Sequence, residues 1–515
     1  MDNVLEVQHF KERLKMQEKR IAELEALVKY YEELYRLHQH RKFGSSSEKT
    51  HCEQLSLFDE AENEADKHKP EPAVEQITYT RRRRREKQEE EILPDLPVET
   101  VEHTLSEAER VCPECSCELH VMGHDTRREL KIIPAQVKIV EHVREVYACR
   151  NCERTATSVP IIKAPMPEPV IKGSAASPSS IAHIMTQKYV NAVPLYRQEQ
   201  EFLINGILLS RQTMANWLVR SSEDWLSPLY EQMRLALLRE EVLHADETTL
   251  QVLKEPGRSS RSESYMWLYR TSGCASKPIV LYEYQPTRSS AHPKAFLKEY
   301  QGYLHTDGYA GYHALPAEVN IVGCWAHVRR KFDEAIKGAP LENRANLAAK
   351  KGFEFCNELF HLERGYEKLR PDERYEERLE HSKPVSAALF EWAETVGALP
   401  KSLLGKAIHY LLSQKAYLEK VFEDGRLELS NNRAERSIKP FVIGRKNWLF
   451  SATPKGAKAS SVIYSIIETA KENRLKPFAY LEYLFETMPN LLAEKIESLL
   501  PWSETLPARC RSIPD

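Results

Sequence analysis

Between residues 240 and 325 the apolar positions come in short dense runs separated by polar turns, the spacing of strands rather than of helices. Five strands are predicted, at Glu241–Ala245, Tyr265–Tyr269, Ile279–Tyr282, Tyr303–Thr306 and Asn320–Cys324, with a short helix around Pro293–Glu299 before the fourth. About a hundred residues then pass before the next diagnostic segment, far more than a loop needs, and they are rich in Glu, Leu, Lys and Ala. That stretch is predicted to be a helical insertion. Asn432–Ile443 is predicted as a further helix, with Asn431 or Asn432 as its cap and Pro440 interrupting it or ending it early.

Three strands, a helix, then alternating strand and helix is the chain order of an RNase H-like core, a mixed five-stranded sheet in which the first and fourth strands are neighbours. The segments ahead of it are of other kinds. Leu14, Ile21, Val28 and Tyr35 repeat at one heptad position and Leu24 and Tyr31 at the other, which predicts a coiled-coil helix; packing of the same helix on its own domain is the alternative. From Lys49 to Thr80 the composition turns to Glu, Lys, Pro and Ala with little periodicity, a flexible linker. Val137–Tyr147 alternates apolar and polar residues and is predicted as a strand. Leu208–Leu218 fits the second helix of a helix-turn-helix, with Gly206 at the turn and Ser210 as cap; a purely structural helical pair fits equally well. The predicted boundaries are 1–42 coiled coil, 43–100 linker, 101–165 zinc-binding domain, 166–238 helical region, 239–335 first part of the core, 336–428 insertion, 429–475 second part of the core and 476–515 helical tail.

Two of the predicted strands end in acids. Asp246 closes the first, in His244-Ala245-Asp246-Glu247-Thr248, and Asp307 closes the fourth, in His305-Thr306-Asp307-Gly308-Tyr309. Adjacency of those strands would bring the two carboxylates together, and Glu435, in Asn431-Asn432-Arg433-Ala434-Glu435-Arg436, would join them from a helix. Carboxylates gathered from distant segments are the usual ligands of paired Mg2+ ions, which prefer hard oxygen donors. Two such ions roughly 4 Å apart activate the attacking oxygen and stabilise the leaving one in phosphodiester chemistry. Glu247 is a rival for Asp246, but successive strand side chains point to opposite faces, so one of the pair faces the metals.

Cys112-Pro113-Glu114-Cys115 and Cys149-Arg150-Asn151-Cys152 are paired C-x-x-C knuckles, spaced as a structural Zn2+ site. Five consecutive arginines, Arg81, Arg82, Arg83, Arg84 and Arg85, favour phosphate contact, although glutamates follow at once. Around Glu435 the chain is basic, with Arg433, Arg436, Arg445 and Lys446, and Arg211 opens the predicted second helix of the helix-turn-helix. All are candidate DNA contacts. Trp448 and Phe450 could stack on unpaired bases or belong to the core, and His327 and Arg330 lie about a turn apart on one helix face.

With these motifs in view, the chain resembles the transposases of the insertion sequence 66 family, a DDE-type bacterial group. The resemblance rests on Arg41-Lys42-Phe43-Gly44 and Gln54-Leu55-Ser56-Leu57-Phe58-Asp59-Glu60 near the amino end, and on Val193-Pro194-Leu195-Tyr196-Arg197-Gln198-Glu199 before the core. It continues through Cys324-Trp325-Ala326-His327-Val328-Arg329-Arg330-Lys331-Phe332, Gly444-Arg445-Lys446-Asn447-Trp448-Leu449-Phe450 and Pro477-Phe478-Ala479-Tyr480-Leu481. It implies an enzyme that cuts the ends of its own mobile element and joins them to target DNA. Asp246, Asp307 and Glu435 fall at the catalytic positions, with Mg2+ or Mn2+ as cofactor. It also implies a zinc-binding domain and small accessory proteins of the same element; a homodimer or higher oligomer would suit an enzyme that holds two element ends.

A composition of 42% hydrophobic and 29% charged residues is that of a water-soluble chain, and no apolar run approaches the ~18 residues of a membrane span. The charged start lacks a signal peptide, so a cytoplasmic location is expected. The formal net charge of -3 requires any DNA affinity to come from local patches. An RNase H-like nuclease that cuts without joining, and a catalytically silent DNA-binding protein derived from a transposase, are the alternatives.

Overall fold

A computed structural model of the chain describes residues 2–43, 136–148, 161–340, 344, 347–491 and 493–512. It divides into two units, Met1–Ser46 with Pro165–Asp515, and Ser47–Ala164. In the smaller unit the described chain forms one antiparallel pair, β1 (Val146–Ala148) with β2 (Ile161–Lys163). The strand predicted over Val137–Tyr147 is therefore confined to its last residues. Its alternating apolar side chains, Ile139 and Val143 among them, stand in solvent, so the pattern has no face to bury against among the described residues.

The larger unit is built on a mixed sheet of five strands: β3 (Val242–Gln251), β4 (Glu263–Thr271), β5 (Val280–Gln285), β6 (Gly302–His305) and β7 (Val319–Val322). Their order across the sheet is β5-β4-β3-β6-β7. β3, β4 and β5 form an antiparallel meander, while β6 runs parallel to β3 and β7 parallel to β6. The first and fourth strands are thus neighbours, in the register His244 opposite His305.

Strand alternation then sorts the side chains. Asp246, Leu268 and Tyr282 form one cross-strand row, and Glu247, Trp267 and Glu283 the next, pointing to the other face. On the Asp246 side lie the helices Asn432–Trp448 and Pro454–Glu472, the second of which closes the β5 edge with hydroxyls. Tyr282 N donates to Ser465 Oγ (2.7 Å) and Val280 N to Thr469 Oγ1 (3.0 Å), so these two edge donors are not left open for another strand.

Pro440 does not end the Glu435 helix, which continues to Trp448. One missing backbone bond is outweighed because Ala434, Ser437, Ile438, Phe441 and Gly444 all pack inward. Between β7 and that helix the chain is helical, at Trp325–Lys337, Ala348–Gly365, Pro371–Glu377, Lys383–Thr395 and Leu403–Ser413. These helices enclose a second core around Trp325, Phe332, Leu389, Phe390 and Leu411.

The N-terminal helix, Asp2–Phe43, packs on this second core through Tyr30, Leu34 and Leu37. Glu33 caps the helix at Leu403, accepting from Leu403 N at 3.0 Å, and Lys406 Nζ lies 3.8 Å above the Tyr30 ring. The heptad residues Leu14, Ile21, Leu24, Val28, Tyr31 and Tyr35 face solvent. Leu195–Ile204 and Arg211–Ser221 form the helix pair expected around Gly206, which has φ 76°, and Ser210 Oγ accepts from Thr213 N at 3.1 Å.

Candidate active site

Asp246 does not close its strand as predicted: β3 stays paired with β4 as far as Gln251, so Asp246 lies within it, whereas Asp307 lies just past the end of β6. Each acid is two residues beyond the paired histidines of the parallel β3–β6 ladder. Asp246 Oδ1 accepts from Glu247 N (2.8 Å), and Asp307 Oδ1 accepts from Tyr309 N (3.0 Å) in a tight turn at Gly308. Gly308 has φ 88°, and a Cβ there would meet Tyr410 Oη at 2.7 Å, so the turn needs glycine. Tyr410 itself donates to the Asp307 carbonyl at 2.8 Å, which ties the insertion to this turn.

Burial pushes the Asp246 carboxyl well above its ordinary range, and the neighbouring charges of Glu247, Asp307 and Glu435 push it the same way. Glu435 is in the first turn of a helix whose start is tied to the residue before Asp246 by the Asn431 Nδ2 bond to the Ala245 carbonyl. Its carboxylate is engaged by Arg330 Nη2 at 3.3 Å and lies 3.7 Å from His327 Nε2. Burial, then the Arg330 charge, holds His327 below the usual imidazole range. Both groups come from one face of Trp325–Lys337.

Glu247 is the acid turned to the opposite face. It is held by Arg288 and by the hydroxyl of the buried Tyr312 (2.7 Å), and Arg288 lies 3.8 Å above the Tyr309 ring. Burial raises its carboxyl, as does Asp307. A cation at the Asp246 face would find hard oxygen donors whose mutual repulsion it relieves, which fits a divalent metal. Among the described residues no three His, Cys, Asp or Glu side chains close around one point. Glu435 would have to exchange Arg330 for the cation.

Behind the acids lies a buried polar layer that composition and spacing did not expose. The imidazoles of His244 and His305 stack at 4.4 Å, 12° from parallel, and both are fully buried. Burial, then His244, holds His305 well below the usual imidazole range, and its Nε2 accepts from Glu428 N at 3.2 Å. Burial opposes ionisation of Glu428, but His244 and Arg433, at 2.7 Å, together hold its carboxyl well below the ordinary range. Asn431 completes the layer: Nδ2 donates to the Ala245 carbonyl (2.8 Å), Oδ1 lies 3.0 Å from His244 Nδ1, and its backbone N donates to Cys324 Sγ (3.1 Å). The repeated His-x-Asp at 244–246 and 305–307 was the one signal of this layer in the sequence.

The candidate DNA contacts fall into different settings. Arg436 and Lys446 are exposed on the Glu435 helix. Arg433 is paired with Glu428, and Arg445 reaches the hydroxyls of Thr248 (3.2 Å) and Thr249 (3.0 Å) on β3. Arg211 lies over the Tyr196 ring and 3.9 Å from Glu199. Trp448 packs against Tyr189 and Tyr464, while Phe450 is exposed. Arg81–Arg85 and the zinc candidates Cys112, Cys115, Cys149 and Cys152 lie outside the described residues.

Comparison with known proteins bears on the whole chain. The family model for the Transposase IS66 family matches residues 173–459, which carry the sheet, the insertion and all three acids. The zinc-finger binding domain of transposase IS66 matches 109–153, the IS66 C-terminal element 465–502, and Transposase C of IS166 homeodomain 30–101. Two relatives in Sinorhizobium fredii (strain NBRC 101917 / NGR234) span most of the chain. The uncharacterized protein y4jD is 31% identical over 416 residues, 76% of this chain and 78% of its own. The uncharacterized protein y4qI is 30% identical over 403 residues, 74% and 72% of the two chains. Four family models in chain order, the largest covering the sheet and the three acids, make this chain a member of the IS66 transposase family.

Proposed function

We propose that this transposase is a DDE recombinase, which cleaves DNA at the ends of its own element and joins the 3' ends to target DNA, with Asp246, Asp307 and Glu435 as its catalytic carboxylates. The observation that supports this most is the parallel register of β3 with β6, His244 opposite His305, which carries Asp246 on one strand and Asp307 just past the end of its neighbour, while Asn431, four residues before Glu435, bonds the Ala245 carbonyl beside Asp246. The strand order and the adjacency of β3 and β6 are those expected of an RNase H-like core.

Two Mg2+ or Mn2+ ions bound by these carboxylates would activate the attacking oxygen and stabilise the leaving one. The chain's own residues do the positioning. Asp246 and Asp307 are set by the sheet register, Glu435 by its helix, and Arg330 is placed to meet a phosphate once Glu435 turns to the cation. Glu247 stays with Arg288 and Tyr312 on the other face.

The remaining assignments belong to the same proposal: the boundaries drawn above, a structural Zn2+ at Cys112, Cys115, Cys149 and Cys152, and DNA contacts by Arg81–Arg85, Arg211, Arg433, Arg436, Arg445 and Lys446. The exposed heptad face of the N-terminal helix is assigned to a coiled coil between copies, in a dimer or larger assembly acting on DNA in the cytoplasm, with accessory proteins of the element as partners. Among the described residues no helix is long and apolar enough to cross a membrane. The test is Mg2+-dependent nicking of a labelled duplex carrying the element's terminal sequence. A discrete 3'-hydroxyl end with the parent protein and none with Asp246→Asn, Asp307→Asn or Glu435→Gln supports the assignment, and nicking that survives all three substitutions rejects it.

A further inference from the structure

The Glu435 helix ends in an unusual way. Leu449 follows its last residue with φ 67° and ψ -47°, and Phe450 N donates to Trp448 O at 2.8 Å. This is a γ-turn of the rare positive-φ kind, strained for a branched side chain. It turns Leu449 and Phe450 into solvent, 64% and 42% exposed, while Trp448 beside them packs on Tyr189 and Tyr464. The turn is held on both sides. Asn447 Nδ2 donates to the carbonyl of Ala192, itself at φ 56°, and Ser451 N donates to Gln251 O (2.9 Å) at the end of β3. The backbone of the turn is fixed on both sides, yet it presents two apolar side chains to water.

Its surroundings indicate what it meets. Arg436 and Lys446 are exposed on the same helix, Lys439 is half-exposed between them, and Lys188 Nζ lies 5.5 Å over the Trp448 ring. The helix thus leads from Glu435 past cationic positions to an apolar tip, which is complementary to a polyanion with stacked bases. From Glu435 to Leu449 a helical rise of 1.5 Å per residue gives about 21 Å, or roughly six base pairs at 3.4 Å each.

We propose that the Leu449–Phe450 turn is a wedge that enters duplex DNA and unstacks bases roughly six base pairs from the phosphate taken up at Arg330 beside Glu435. This rests on the transposase reading, and it adds a contact that opens the element end. The bonds at Asn447 and Ser451 hold the strained turn in place before DNA arrives, which lowers the ordering cost at the moment of binding.

The test uses the full chain and terminal duplexes carrying 2-aminopurine at successive positions. The parent is expected to bind the duplex and to raise the fluorescence of a probe near the sixth base pair. Phe450→Ala is expected to abolish that rise and weaken binding about tenfold, with Phe450→Trp restoring both. Leu449→Gly suits the positive φ and should keep or raise the urea midpoint, so its loss of the fluorescence rise cannot be assigned to misfolding. Tight binding with no rise at any position, or unchanged binding in Phe450→Ala, overturns the wedge and leaves the transposase reading standing. A substitution that alters the oligomeric state but not DNA binding assigns the turn to contact between copies and also overturns it. A parent that binds no terminal DNA overturns the wedge and the transposase reading together.

Discussion

Asn431 to alanine is the substitution that most directly probes how the three acids are brought together. The residue is fully buried and opens the Glu435 helix, yet its side chain makes no cap; it crosses to β3 instead. Alanine would leave the Ala245 carbonyl and His244 Nδ1 without partners in a dry layer, one residue and two residues from Asp246. A buried polar group left unsatisfied costs about 1–3 kcal/mol, so two of them amount to about 2–6 kcal/mol, a large part of the 5–15 kcal/mol that is typical of folded domains. Asn431→Asp sharpens the comparison. It keeps an oxygen towards His244 but sets a second oxygen against the Ala245 carbonyl, so at neutral pH it should be at least as unstable as the alanine variant. Urea unfolding followed by tryptophan fluorescence reads both. An alanine variant within 1 kcal/mol of the parent, or an aspartate variant clearly more stable than alanine, would refute the reasoning.

Glu283 carries a prediction with a defined pH window. Burial raises its carboxyl from 4.5 to about 7, and Oε2 has no hydrogen-bond partner. A carboxyl raised in the folded state costs nothing below its unfolded value, costs progressively more as pH rises from that value, and carries its full cost above the folded one. Glu283→Gln should therefore stabilise the protein by about 3 kcal/mol at pH 8 and leave it unchanged near pH 4, as read from urea midpoints. Equal midpoints at pH 8 would contradict it. Arg378 is 1% exposed, pairs with Glu363 and donates to the carbonyls of Val421 (3.3 Å), Asp424 (3.3 Å) and Leu427 (2.8 Å). Arg378→Leu should cost about 3–5 kcal/mol by stranding Glu363 and those carbonyls, with no change in stability as the refuting result. Glu247→Gln should retain at least about a tenth of the nicking rate that Asp246→Asn abolishes, since its carboxylate serves Arg288 and Tyr312; equal losses in the two variants would place both acids in the site.

What was legible in the sequence follows from which interactions are local. Strand alternation and apolar runs announced all five strands, and the sheet order then set Asp246 beside Asp307. Glu435 was singled out by its motif, and helix spacing put His327 and Arg330 on one face, which lies beside Glu435. The polar layer was not legible, because His244, His305 and the Glu428–Asn431 segment are far apart in sequence: the register of β3 with β6 joins the histidines, and the segment before the Glu435 helix then packs on them. Pro440 misled for the related reason that tertiary burial overrides a local helix breaker. The heptad at the amino end was visible, but the chain's own contacts use Tyr30, Leu34 and Leu37 on a different face, which periodicity alone did not distinguish.

The central claim is that three carboxylates from separate elements act as one catalytic set for DNA joining. It is tested most directly by a strand-joining assay with purified protein, Mg2+, a labelled duplex of the element's terminal sequence and a plasmid target. The parent should give joined product, and Asp246→Asn, Asp307→Asn and Glu435→Gln, each shown to be folded and to bind the duplex, should give none. Joined product from any one of the three would contradict the account.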